Sequence, residues 1–164
     1  MTGRACYNLV NWLSEGCGIG EPHPERQPVF MSEMKGENMA PLKVEQYVVG
    51  PVQTNCYFAI NDDTKEVLVI DPGASADQLA KKIRQEKLIP IAILLTHGHF
   101  DHAGGAEELA KHFDIKIYAE EHEKETLDTP SLNLSGWEGV QKTYHADVFL
   151  KNEQEYKCSV NKLC

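Results

Sequence analysis

Three imidazoles and one carboxylate fall within six consecutive positions of the segment Thr96-His97-Gly98-His99-Phe100-Asp101-His102. They are the borderline and hard donors that Zn²⁺, Fe²⁺ and Mn²⁺ accept. At this chain's His and Asp content such a cluster arises by chance in on the order of one chain in a thousand. In an extended stretch, residues two apart project to the same side, so His97 and His99 are placed to grip one cation. Asp101 and His102 then leave the turn into a helix and can serve a neighbouring position. Gly98 is read as leaving room for backbone close to the metal, and Gly104 with Gly105 as letting the helix start tight against the loop. The bland alternative, a solvated polar loop ending a buried strand, is disfavoured because such loops seldom concentrate imidazoles.

The elements that must position these side chains follow from the flanking pattern. Val44 to Val49 and Cys56 to Ile60 read as two strands rich in β-branched and aromatic residues. A polar turn, Asn61 to Lys65, leads into a third strand, Glu66 to Ile70, whose continuous apolar run implies cover on both faces. The three form a meander of hairpins. Ser75 followed by Gln78 has the form of a capping box before a helix from Ala76 to Lys87, with Ala76, Leu79, Ala80 and Ile83 on one face. Ile91 to Leu95 is a central strand that delivers the chain into the histidine cluster. A helix from Ala106 to His112, a strand from Ile115 to Ala119, a short helix from Glu120 to Leu127 and a last strand from Ala146 to Leu150 complete the expectation.

Length and composition suit one globular domain: 164 residues, 41% hydrophobic and 25% charged. A formal charge of -9 repels phosphate backbones and anionic lipid, so neither nucleic acid nor a membrane is expected as a partner. Five cysteines without a C-x-x-C pair read as reduced thiols, and nothing at the start resembles a secretory signal, which places the chain in the cytoplasm. Residues 1–40 carry no periodicity and are punctuated by Gly and Pro, the pattern of a disordered leader, with Met31, Met34 and Met39 as further plausible starts. Residues 41–157 form the domain, and 158–164 an unstructured tail.

Thr-His-x-His-x-Asp-His after an apolar strand resembles the metal-binding signature of the metallo-β-lactamase superfamily. Gly50-Pro51-Val52-Gln53-Thr54-Asn55-Cys56-Tyr57, Val69-Ile70-Asp71-Pro72-Gly73-Ala74 and Ala103-Gly104-Gly105 resemble its glyoxalase II-like hydrolases in the same order and similar spacing. The resemblance implies an α/β (α+β) fold, the αββα sandwich, of which this chain would supply mainly the N-terminal βαβ half. It implies that His97 and His99 bind a first metal and Asp101 with His102 a second, with two Zn²⁺ in full-length members and Fe or Mn as alternatives. Asp71 would support the loop from beneath, and Asp101 would orient the attacking water on the thioester substrate, S-acylglutathione being the typical case. Histidine at position 99 favours the hydrolytic branch over oxygen-reducing members, which usually place glutamate there.

Full-length relatives draw further ligands from a Thr-Pro-Gly-His stretch and a Gly-Asp pair, neither of which occurs here. His112, His122 and His145 lack those flanks and read as an imidazole at a helix C-terminus, a member of an acidic helix and a residue before a strand. The expectation is therefore a truncated or frame-shifted chain with one loosely held ion, and an uncovered sheet prone to self-association. Two readings follow: a metal-dependent hydrolase, or a non-catalytic fragment that keeps the motif. An iron-dependent persulfide dioxygenase on the same scaffold is a further enzymatic alternative.

Overall fold

A computed structural model describes residues 42–151. The leader and tail expected at 1–40 and 158–164 lie outside the described residues, as do Cys6, Cys17, Cys158 and Cys164.

The β-rich opening forms the expected meander. Strands β1 (Leu42–Val49), β2 (Thr54–Asn61) and β3 (Glu66–Ile70) pair antiparallel, with Val49 opposite Thr54 and Tyr57 opposite Ile70. Helix α1 (Ala76–Gln85) then carries the chain over to β4 (Ile89–Leu94), which lies parallel to β3 with Ile70 beside Leu94. A one-turn helix α2 (Phe100–Ala103), α3 (Ala106–Phe113), β5 (Ile117–Glu120), α4 (Glu123–Asp128), a 3₁₀ turn (Ser135–Glu138) and β6 (Val148–Leu150) follow. The six strands make one mixed sheet in the order β1 to β6, the last three joints being parallel.

Both faces of the central strands are buried, as their unbroken apolar runs require, which corrects the expectation of an uncovered sheet at these strands. Val67, Val69, Ile93 and Ile117 point to the helices and pack with Leu79 and Ile83 of α1 and Leu109 of α3. Fully buried side chains of this size contribute about 1.5–3 kcal/mol each. Leu68, Ile70, Ala59, Ala92 and Leu94 alternate to the other face and form a second buried cluster. Cys56 is a buried free thiol, in keeping with the reduced state read from the sequence. Among the described residues no helix is long and apolar enough to cross a membrane.

The structure corrects several details. Ser75 does not close a capping box: its φ of 60° puts it in the left-handed region, its side chain makes no cap bond, and Gln78 and Leu79 donate to its backbone oxygen instead. An N-cap side chain works from extended backbone, which this tight turn does not allow. Helix α1 stops at Gln85, not Lys87, because Lys87 turns with φ 56°. β5 begins at Ile117 rather than Ile115 and runs through Glu120, so α4 starts only at Glu123.

The crossover places the C-terminal ends of β3 and β4 side by side, and two glycine-bearing turns pack there without room for a side chain. A Cβ on Gly73 would fall 1.4 Å from the Asp101 carbonyl oxygen, and one on Gly105 2.5 Å from the Pro72 oxygen. Gly104 is equally confined, 2.6 Å from the Gly73 and Phe100 oxygens, so the double glycine does let α3 start tight against the loop. Gly73→Ala is expected to destabilise the fold by about 1–3 kcal/mol, the range of core overpacking. Urea unfolding checks this, and an unchanged midpoint would contradict the packing described.

Candidate metal centre

The loop between β4 and α2 is held from beneath by one carboxylate. Asp71 ends β3 with φ 52°, a left-handed conformation that Asp tolerates better than most residues, and its own N–H donates to the Leu94 oxygen at 3.1 Å. That geometry turns its side chain under the neighbouring strand end. Asp71 Oδ1 accepts from the Thr96 backbone N–H at 2.8 Å and Oδ2 from the Thr96 hydroxyl at 2.6 Å. His102 Nδ1 lies 2.9 Å from the same Oδ2, a close ionic contact in which the buried ring nitrogen is turned away from hydrogen-bond alignment.

Above this support the four sequence-predicted donors form two adjoining pairs. His97 Nε2 and His99 Nδ1 are 3.1 Å apart, and His102 Nε2 is 3.5 Å from Asp101 Oδ2. The His97 ring joins the pairs, its centroid 4.5 Å from that of His99 and 4.0 Å from that of His102. His99 has extended backbone, φ -68° and ψ 151°, and its ring meets that of His97 across the bend at Thr96 and His97, while Asp101 and His102 ride on α2.

Burial and charge tune the imidazoles in opposite directions. Burial, and next the neighbouring His102, push His97 down to about 4. Burial also depresses His102, but the Asp71 carboxylate, helped by Asp101, outweighs it and holds His102 above the ordinary range.

The donor chemistry fits a divalent cation. Two ligands on a tetrahedral Zn²⁺ stand about 3.4 Å apart, given Zn–N bonds of about 2.0–2.1 Å, close to the His97–His99 separation. His97 also meets the Thr96 hydroxyl through Nδ1 at 3.0 Å, a contact of the kind that would fix the ring of a metal ligand.

Three contributors escaped the sequence reading of roles. Thr54 donates to Asp101 Oδ2 at 2.6 Å, the Gly98 N–H donates to Glu123 Oε2 at 2.9 Å, and the Phe100 N–H donates to the Asn133 carbonyl at 2.8 Å. Thr54 lies in the stretch Gly50 to Tyr57, where nothing local marks it as a partner of Asp101. Glu123 and Asn133 carry no local signal. The reading of Gly98 is also corrected: a Cβ there would meet Leu127 N at 2.9 Å and Thr126 at 3.0 Å, so the space it leaves admits α4, not a metal.

Among the described residues the other histidines each pair with a carboxylate outside the motif. His112 pairs with Asp77 at 2.9 Å, His122 with Glu120 at 2.7 Å and His145 with Asp147 at 3.4 Å. Asp77, Glu108 and His112, and likewise Glu120, Glu121 and His122, bring donors within 4.8 Å of one another at the protein surface.

In the metal-free protein the His97 ring is expected to titrate near pH 4, and His102 above 6.5, in histidine NMR spectra. Because His97 is depressed from 6.5, protonating it opposes folding. Its contribution is fully present above pH 6.5 and is lost as pH falls toward 4. A His97 resonance titrating near 6.5 would contradict the burial described.

The family described as the metallo-beta-lactamase superfamily matches residues 49–157. The chain is 42% identical over 116 residues to a protein of Bacillus subtilis strain 168 named probable metallo-hydrolase YqgX, covering 70% of this chain and 54% of that protein. It is 40% identical over 77 residues to the hydroxyacylglutathione hydrolase GloC of Haemophilus influenzae, covering 47% of this chain and 36% of that enzyme. The crystal structure of the BLEG-1 B3 metallo-beta-lactamase superposes with a TM-score of 0.65 at 39% identity, over 71% of this chain and 56% of that one. The chain thus spans about half the length, or less, of the curated relatives it matches. The match of sequence over most of the described region, together with the shared fold, shows that this chain belongs to the metallo-beta-lactamase superfamily.

Proposed function

We propose that this chain carries the first metal-binding segment of a metal-dependent hydrolase that acts on thioesters such as S-acylglutathione. The observation that supports this reading most is the meeting of His97, His99, Asp101 and His102 above the buried Asp71 carboxylate. The likeness to a hydroxyacylglutathione hydrolase supports the substrate class.

Bound there, a divalent cation supplies an acidified water and a positive charge against which an oxyanion can develop. Zn²⁺ suits three imidazoles and a carboxylate, and Fe or Mn suits them as well. The protein's own residues do the rest. His97 stays neutral at physiological pH, with its lone pair free for coordination. Asp101, fixed through Oδ2 by the Thr54 hydroxyl, would orient the attacking water. Asp71 keeps Thr96 and His102 in place, which sets the ring orientation on either side of the loop.

A second reading is favoured by the donor count. A stable zinc site takes three or four protein ligands, whereas the motif's four donors stand as two pairs, no three of them within 4.8 Å of one another. In that reading the chain is a non-catalytic fragment that holds at most one loosely bound cation.

Metal analysis of the purified chain together with an S-acylglutathione hydrolysis assay separates the two. The hydrolase reading expects bound metal, and thioester hydrolysis that chelation or His99→Ala abolishes. Hydrolysis that survives His99→Ala would overturn it, and metal binding without hydrolysis would leave the second reading. Asp71→Asn, which removes an acceptor from the Thr96 hydroxyl, is expected to weaken metal binding about 10–100-fold, measured by competition with a chromogenic chelator.

A further inference from the structure

We infer that Glu123 is a positioning residue for the metal loop, acting through the peptide between His97 and His99. The inference rests on the metal-centre reading above and adds to it a residue on a different element, 25 positions along the chain.

The amides of Thr96, Gly98 and Phe100 each find an acceptor outside the loop. Thr96 donates to Asp71 Oδ1, Gly98 to Glu123 Oε2 and Phe100 to the Asn133 carbonyl. The residues between, His97 and His99, carry the two donors that stand 3.1 Å apart. Of the three anchors, the Glu123 carboxylate holds the central one. Gly98 is buried, so its N–H has no water to fall back on when the carboxylate is removed.

The helix that delivers Glu123 is itself fixed. Leu127 is 1% exposed, and its carbonyl accepts from the Asn133 side chain at 3.2 Å and from the Tyr144 N–H at 3.0 Å. Gly98 packs against this same turn, with no space for a Cβ before Leu127 N. Helix α4 is therefore a rigid wall behind the loop, and Glu123 is the bond that ties the loop to it. Loss of that bond frees the 97–99 peptide to rotate, and the separation of the two imidazoles is no longer set before the cation arrives.

The test uses the full chain, metal-free and titrated with Zn²⁺, as wild type, Glu123→Ala, Glu123→Gln and Glu125→Ala. Glutamine keeps a carbonyl acceptor and loses the charge, whereas the exposed Glu125 on the same helix removes charge without touching the loop. Hydrogen exchange of the Gly98 amide in the metal-free protein is expected to speed up about tenfold in Glu123→Ala, the scale of one lost hydrogen bond. Zn²⁺ affinity is expected to fall about 10–100-fold in that variant. Glu123→Gln and Glu125→Ala are expected to stay close to wild type in both. Unchanged Gly98 exchange or unchanged Zn²⁺ affinity in Glu123→Ala overturns the inference, as does a Glu123→Gln variant as impaired as the alanine. A wild-type chain that protects Gly98 but binds no Zn²⁺ defeats the metal-centre reading, and the positioning role with it. Should Glu123→Ala fail to fold by circular dichroism, Glu123→Gln with normal Gly98 protection but weakened Zn²⁺ binding would still overturn the inference.

Discussion

A single buried carboxylate organises this protein. Asp71 is 3% exposed, yet it receives a backbone amide, a hydroxyl and the edge of an imidazole. An ionised group in such a place is tolerable only when its oxygens are satisfied, and hydrogen bonds to a charge are worth about 1.5–3 kcal/mol each. The same contacts that make Asp71 bearable inside the fold therefore fix Thr96 before the loop and His102 after it. Folding and site assembly are one event at this position.

The sheet exists to bring that carboxylate to its partners. Parallel pairing of β3 with β4 sets Ile70 beside Leu94, so the residues that follow each strand emerge together at one edge. Side chains on both faces of these strands are buried, and a one-residue slip would exchange the two sets and carry Asp71 away from Thr96. The glycines of the adjoining turns complete the arrangement by contact: Gly73 lets the Asp71 turn approach the backbone of Asp101 itself.

Much of this was legible in the residues. Period and composition gave the three-stranded meander, the α1 crossover and the strand that feeds the loop. The spacing of His97 and His99 anticipated that their rings meet, though they do so across a bend and not along extended backbone, and Asp71 was placed beneath the loop by resemblance. What stayed hidden depends on distance along the chain. Thr54 reaches Asp101 across 47 positions and Glu123 reaches Gly98 across 25, and no local pattern announces either bond. Ser75 and Gln78 show the converse failure, a local signature overridden because the turn from Asp71 demanded left-handed backbone. Gly98 was assigned to the right kind of requirement, close approach, but to the wrong neighbour, since only the tertiary packing of α4 reveals what comes near it.

The acceptor for Phe100 is a main-chain carbonyl, unlike the side chains that receive Thr96 and Gly98. Every amino acid supplies that oxygen, so sequence drift at position 133 can erode it only by moving the backbone. Two of the loop's three tethers thus end on a side chain, whereas the third ends on backbone that the buried Asn133 side chain holds through the Leu127 and Lys142 carbonyls.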